Sequence, residues 1–395
     1  MTTLTVDKLE PNMIIAEPVV TKRGQTLIKA KEKLSPQMIA KLSFYKIESV
    51  TVEDISEEAP EEAPIEEAPA PAAEPAKPKK TLKEKKKEAS DAKEKQDRAS
   101  QQIPYTQRLK ASPTFQKFQS DYAINIAFLQ KNFDDILAGA DASCTDEMLK
   151  NCESLFKSKT TIELLNMLSN MRNLEDPIFS HSLNVGLISR AIGKWAKLPL
   201  EDVNVLTLAG LLHDIGKTQI PEKILNKPGK YTDAEYEIMK THPVLGKKIL
   251  NDKGFDPRIL YAALQHHERA DGSGYPRGLE EDEIDDFASI VAIADVYDAM
   301  TTARAHRDPL CSFQVISEFE KEGLQTFNTK YILTFLERIA NTYNNSRVML
   351  NNAKTGRVVY INKSSLSRPV VQLDNGEIIN LADNAFSDIY IKSIL

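Results

Sequence analysis

At 395 residues with 41% hydrophobic content, the chain can bury a full-sized core and still carry small accessory domains, so more than one domain is expected. A formal net charge of -6 excludes a whole-molecule field that favours polyanions, so duplex nucleic acid is not an expected partner and any phosphate recognition is local. The three cysteines, Cys144, Cys152 and Cys311, form no CxxC pair, which excludes a thiolate zinc site and a disulfide framework and leaves them as small core hydrophobes.

The N-terminus has no basic segment followed by an apolar run, and no stretch of about 18 uncharged apolar residues occurs in the chain. No membrane association and a reducing, cytoplasmic setting are therefore expected. Residues 1–55 read as a small α+β accessory module: apolar alternation from Met13 to Val20, a turn at Gly24, strands at Thr26 to Lys29 and Ser49 to Val52, and a short helix opened by Ser35 and Pro36 with Met38, Ile39 and Leu42 on one stripe.

Composition then changes abruptly. Over residues 56–103, Glu-Glu-Ala-Pro repeats give way to an Ala/Pro stretch and then to a run dominated by Lys and Glu. With almost no aromatic or β-branched residues this segment cannot offset the entropy of ordering, so it reads as a disordered or helical charged linker. Residues 104–159 form a helical lead-in, with Ile126, Leu129, Phe133, Ile136 and Leu137 on one face and Met148, Cys152, Leu155 and Phe156 on another. Helical periodicity continues over 160–345. Period-two patterns return in 346–395, where Asp374-Asn375-Gly376 marks a hairpin, so a small β appendage ends a mainly α chain.

Of the six histidines, five lie beside well-placed aspartates in the helical region. His181 shares a predicted helical face with Val185, Ile188 and Ile192 and so points to the core; alone, such a histidine is usually a satisfied structural residue. His213-Asp214 follows the apolar helix Val205 to Leu212, His242 lies downstream, and His266-His267 ends the helix Arg258 to Gln265. Neighbouring helical residues point about 100° apart, so an adjacent pair suits two metal sites, or one ligand and one bridging carboxylate, better than a single chelate. Asp295 sits among Ile290, Val291, Ile293 and Ala294, where an unpaired carboxylate would cost several kcal/mol unless a cation or strong hydrogen bonds offset its charge. Imidazole and carboxylate without thiolate favour iron, manganese, nickel or zinc. Gly272, Gly274 and Pro276 make a tight loop that brings Tyr275 close, and Arg304 and Arg307, three apart, are placed to hold phosphate oxygens.

His-Asp-Ile-Gly-Lys at 213–217, His-His-Glu-Arg-Ala-Asp-Gly-Ser-Gly-Tyr-Pro at 266–276 and Ile-Ala-Asp-Val-Tyr-Asp-Ala-Met-Thr at 293–301 together resemble the HD-GYP family over roughly residues 160–345. The resemblance implies an HD-type helical bundle that hydrolyses cyclic di-GMP to linear pGpG or GMP in bacterial signalling, using two divalent ions, iron or manganese. It implies His181, His213, Asp214, His242, His266, His267 and Asp295 as metal ligands, with Asp214 bridging. It implies Lys217 as the contact to the scissile phosphate, so that Asp214 and Lys217 carry catalysis, and Gly274, Tyr275, Arg304 and Arg307 as further substrate contacts. Asp298 resembles a family position beside the site with no direct catalytic role.

Two positions depart from the family pattern. Pro177 stands where members with three metals place a glutamate ligand, which favours two ions unless Glu175 or Asp176 reaches inward, and His306 stands where many members have tyrosine. A dinuclear centre generates a nucleophile at neutral pH and screens phosphodiester charge, which is the chemistry such a reaction needs. Two other readings stay open: a different HD-type reaction such as nucleotide dephosphorylation, and a catalytically weak cyclic di-GMP sensor or interaction protein. Protein partners at the Gly-Tyr-Pro loop or the N-terminal module, and a homodimer, are left open.

Overall fold

The computed structural model describes residues 2–10, 12–20, 26–34, 38–39, 42, 47, 49–53, 109–157, 159–171, 177–302 and 309–395. The Gly24 turn, the Ser35–Pro36 helix start, the 56–103 linker, and Glu175, Asp176, Arg304, His306 and Arg307 lie outside the described residues. The chain divides into two compact units, 1–108 and 109–395.

In the first unit, β1 (Thr2–Thr5) pairs antiparallel with β4 (Ser49–Val52), and β2 (Val19–Val20) with β3 (Thr26–Ile28). Ile15, Ile28, Leu34, Leu42, Val50 and Val52 form its core. β1 is not evident from pattern alone, because Thr-Thr-Leu-Thr offers one apolar residue and gains its strand character from pairing with β4.

The second unit is mainly helical. α1 (Pro113–Leu137) starts where Ser112 accepts from the Phe115 N–H at 3.1 Å, with Pro113 in the first turn. α2 (Thr145–Phe156) follows, then α3 (Thr161–Asn170), opened by a Thr160/Glu163 capping box. α4 (Pro177–Trp195) and α5 (Leu200–Leu212) lead to a 3-10 turn at Ile215–Gln219, the short α6 (Glu222–Leu225) and α7 (Asp233–Met239). α8 (His242–Leu250), α9 (Pro257–Gln265) and α10 (Asp286–Thr301) complete the group around the site. α11 (Ser312–Glu318), α12 (Leu324–Thr326) and α13 (Thr329–Thr342) close the bundle.

Past their acidic first turns, α5 and α10 are apolar around most of their circumference and correspondingly buried: Val203 and Leu206 to Leu212 on one, Phe287 to Asp295 on the other. α13 is amphipathic and buries only the stripe Tyr331, Ile332, Phe335, Leu336, Ile339 and Ala340. These two buried helices carry or lead into His213, Asp214 and Asp295, while His181, His242 and His266 lie on or at the ends of the neighbouring α4, α8 and α9. Among the described residues no helix is long and apolar enough to cross a membrane.

β5 (Arg347–Leu350), β6 (Thr355–Tyr360), β7 (Val370–Leu373), β8 (Ile378–Asn380) and β9 (Ile391–Ile394) form one antiparallel sheet in the order β8-β7-β6-β5-β9. The predicted hairpin turn is present, with Leu373 N–H donating to Glu377 O at 2.8 Å and Gly376 at φ 89°. β5 and β9 escaped the sequence reading, the first because Arg-Val-Met-Leu follows directly on a helix, the second because it is short and pairs across more than 40 residues. Val348, Leu350, Val358, Val371 and Ile391 belong to the same apolar cluster as Phe313 and Phe335 of the helices. Glu320 ties the two together by accepting from Leu366 N–H at 2.5 Å and from the Ser367 hydroxyl. Of the cysteines only Cys152 is fully in the core; Cys144 and Cys311 are partly buried at its margin.

Candidate metal centre

Three imidazoles are held by a nearby backbone carbonyl and a fourth by a distant carboxylate. His213 follows α5, and its Nδ1 donates to Gly210 O at 2.8 Å. His242 opens α8, and its Nδ1 donates to Met239 O at 2.7 Å. His266 follows α9 and donates from Nδ1 to Ala262 O at 3.0 Å. His181, within α4, donates from Nδ1 to Asp298 Oδ2 at 2.7 Å. A carbonyl oxygen accepts only, so for His213, His242 and His266 these bonds put the proton on Nδ1 and leave Nε2 its lone pair, whereas His181 has a carboxylate at each nitrogen, Asp298 at Nδ1 and Asp295 at Nε2, so that a cation bound at Nε2 displaces a proton there.

Those lone pairs converge. His242 Nε2 lies 3.2 Å from His266 Nε2, and with both rings protonated at Nδ1 neither nitrogen has a hydrogen to give the other. Nitrogens bound at about 2.1 Å and at right angles on one ion would stand roughly 3.0 Å apart. Asp214, 1% exposed, lies between the rings: Oδ1 is 3.3 Å from His242 Nε2 and 3.7 Å from His266 Nε2, while Oδ2 is 3.2 Å from His213 Nε2 and 3.6 Å from His181 Nε2. Its two oxygens thus face two different histidine pairs. His213 Nε2 and Asp214 Oδ1 are buried without a hydrogen-bond partner, which is costly unless a cation neutralises them.

Asp295, on α10, lies 3.0 Å from His181 Nε2 and 3.9 Å from His267 Nδ1. Three groups have donor atoms within 4.8 Å of one another: His242, His266 and His267; His181, His213 and Asp295; and His213, Asp214 and His266. Together they contain all seven residues that the sequence singled out. This donor set, five nitrogens and two carboxylates with most of its rings anchored from behind, fits a cluster of divalent ions.

The charges answer to the same crowding. Burial opposes the negative charge of Asp214, but His213 and Lys217, whose Nζ donates to Oδ2 at 2.5 Å, hold it well below the usual carboxylate range. Burial also works against the cationic form of His181, yet its bonds to Asp295 and Asp298 push it up to about 10. Burial drives His267 down to about 3, against the pull of Asp295.

Lys217, one turn beyond His213, stands against Asp214 at the rim of the cluster. Tyr275 stacks on His267 with ring centroids 4.7 Å apart and, with Pro276, lines a cavity of about 330 Å³ that also touches Glu237, Lys240, Thr241, Val244 and Leu245. Gly274 passes so close to the chain at Glu268 and Arg269 that an added Cβ would stand 2.4 Å from Arg269 N. Packing alone therefore accounts for a glycine there.

Sequence reasoning overlooked Glu268. It is 2% exposed, and its carboxylate accepts from Arg277 N–H at 2.8 Å and Leu279 N–H at 3.0 Å, holding the Gly-Tyr-Pro loop against the helix end. Its signal was its position, an acidic residue directly after two adjacent histidines. Glu268→Ala is expected to speed amide exchange at Arg277 and Leu279 by about an order of magnitude or more. Hydrogen-exchange mass spectrometry of the loop checks this, and unchanged exchange there would remove Glu268 from the account.

An HD domain model matches residues 157–329. The chain is 40% identical over 178 residues to a cyclic di-GMP phosphodiesterase of Thermotoga maritima, covering 45% of this chain and 48% of that one. It is 33% identical over 204 residues to the cyclic di-GMP phosphodiesterase PA4108 of Pseudomonas aeruginosa, covering 51% and 49%. It is also 37% identical over 172 residues to the 3'3'-cGAMP-specific phosphodiesterase 1 of Vibrio cholerae, covering 42% and 40%. The chain thus spans about half the length of the curated relatives it matches. With its three motifs in order and their histidines and aspartates gathered round one centre, the helical unit is matched by an HD domain over residues 157–329 and is similar there to these cyclic dinucleotide phosphodiesterases.

Proposed function

We propose that this chain is a bacterial, cytoplasmic metal-dependent phosphodiesterase that hydrolyses cyclic di-GMP to pGpG or GMP. The observation that carries this reading is Asp214, buried with one carboxylate oxygen toward His242 and His266 and the other toward His181 and His213. Such a carboxylate suits two divalent ions, iron or manganese, held by His181, His213, Asp214, His242, His266, His267 and Asp295. When bound, these ions would supply a nucleophile at neutral pH and screen the phosphodiester charge.

The chain's own residues do the rest. Three carbonyl acceptors hold His213, His242 and His266 in the ligating tautomer, and Asp298 fixes the ring of His181, before any ligand arrives. Lys217 Nζ, beside Asp214, is within reach of a phosphate oxygen at the cluster and stabilises charge that builds toward the leaving 3′ oxygen. Tyr275, fixed by its stack on His267 and by the Glu268-braced loop, supports one wall of a cavity large enough for part of a nucleotide, with Lys240 and Glu237 at its edge. Gly274 keeps that wall close, and Arg304 and Arg307 serve as further phosphate contacts.

Identity to relatives with two different cyclic dinucleotide names makes the substrate itself a measurement. Metal-replete protein is incubated with cyclic di-GMP or with 3'3'-cGAMP and the products are separated by chromatography. Guanine-only product, lost with chelator and restored by Mn²⁺ or Fe²⁺, is the expected result. Binding of cyclic di-GMP without hydrolysis, unaffected by chelator, would instead make the chain a sensor.

A further inference from the structure

α1 lies before the matched HD segment, yet one of its residues reaches the metal centre by hydrogen bonds. Tyr122 is fully buried, and its hydroxyl lies 2.6 Å from Asn184 Oδ1 and 3.1 Å from Ser180 O. Asn184 Nδ2 donates to Asp298 Oδ1 at 2.8 Å, Thr302 Oγ1 donates to the same oxygen at 3.1 Å, and His181 Nδ1 donates to Asp298 Oδ2 at 2.7 Å. Asn184 and Asp298 are 6% and 4% exposed, so solvent does not substitute for any of these bonds.

The chemistry allows only one direction for this chain of bonds. An ionised Asp298 accepts and does not donate, so Asn184 must turn its NH₂ toward it and its carbonyl oxygen away. That oxygen needs a donor, and the Tyr122 hydroxyl is the group beside it. Without the hydroxyl, the buried amide oxygen has lost its donor. The 180° amide flip that would relieve it places oxygen against the carboxylate of Asp298. Either outcome loosens the acceptor that holds His181 Nδ1, and with it the Nε2 that faces Asp295 and Asp214 at 3.0 Å and 3.6 Å.

We infer that Tyr122 is a positioning residue for the metal centre, acting through Asn184 and Asp298 to keep His181 aimed at the ion it shares with His213 and Asp295. The inference rests on the metal-centre reading above. It extends the functional unit beyond residues 157–329 to a helix that the family match does not include.

The test is Mn²⁺ binding to the full chain, followed by calorimetry and by electron paramagnetic resonance. Tyr122→Phe keeps the ring and its contact with Phe118 and removes only the hydroxyl. It is expected to weaken one Mn²⁺ site about tenfold, the size typical of groups that orient metal ligands, and to leave the other site unchanged. Because the hydroxyl acts through the amide, Tyr122→Phe should add no further loss to an Asn184→Ala background, and the metal-free melting temperature of Tyr122→Phe should stay close to that of the unaltered protein. Unchanged affinity at both sites, a loss that adds in full to that of Asn184→Ala, or an equal weakening of both sites together with a fall in melting temperature would overturn the inference. Absence of any Mn²⁺ binding by the unaltered protein would overturn the metal-centre reading and the inference with it.

Discussion

Asp214→Ala is expected to lower turnover of cyclic di-GMP on the order of 10³-fold or more and to strip the protein of most of its metal, while far-ultraviolet circular dichroism stays near that of the unaltered chain. The carboxylate is shared: Oδ1 serves the His242 and His266 side and Oδ2 the His181 and His213 side, so one substitution disables both halves of the cluster. The fold has little reason to fail. Asp214 follows α5 in a turn made by backbone bonds, such as Lys217 N–H to Asp214 O at 2.9 Å, and the change removes a buried charge rather than core volume. Product chromatography and elemental analysis of the purified variant check the two parts. Full activity with a full metal complement would end the proposed mechanism.

Gly216→Ala is expected to destabilise the protein by roughly 3 kcal/mol or more, although it adds one methyl group and replaces no ligand. An ideal Cβ at Gly216 would stand 2.0 Å from His242 O and 2.5 Å from Gly246 N, both backbone atoms of α8. Backbone cannot rotate away as a side chain can, so α8 and the 3-10 turn must separate. His242 is the first residue of α8, and its displacement also costs metal. A thermal melt of the metal-free protein should fall by roughly 6 °C or more, with metal content reduced in parallel. A melting temperature within about 1 °C of the unaltered protein would show that the close approach is not needed.

These two positions mark how far the sequence could be read. The motif His-Asp-Ile-Gly-Lys was legible, and so was the expectation that His213 and Asp214 act together, because adjacency and a following glycine are local facts. That Gly216 exists to let α8 pass at van der Waals distance was not legible, since the contact joins residues separated by about 26 positions in a way no periodicity records. Glu268 and Asn184 were overlooked for the same reason: each is an ordinary polar residue until its partners, Arg277 and Leu279 for one, Asp298 and Tyr122 for the other, are brought beside it.

The elements divide similarly. α5, α9, α10 and the Leu373–Ile378 hairpin follow from apolar periodicity and turn residues. β1, β5 and β9 do not, because a short strand is defined by the strand it pairs with.

Residue types, their order and their spacing were enough to indicate a mainly helical chain with an HD domain and to single out the seven imidazoles and carboxylates. Those are properties of local pattern and of side-chain chemistry. Only the folded chain decided which nitrogen of His213, His242 and His266 is free, which oxygen of Asp214 faces which pair, and that a tyrosine far upstream stands behind His181. Hydrogen bonds are directional and act over about 3 Å, so these choices depend on where distant segments meet, and no stretch of sequence contains that by itself.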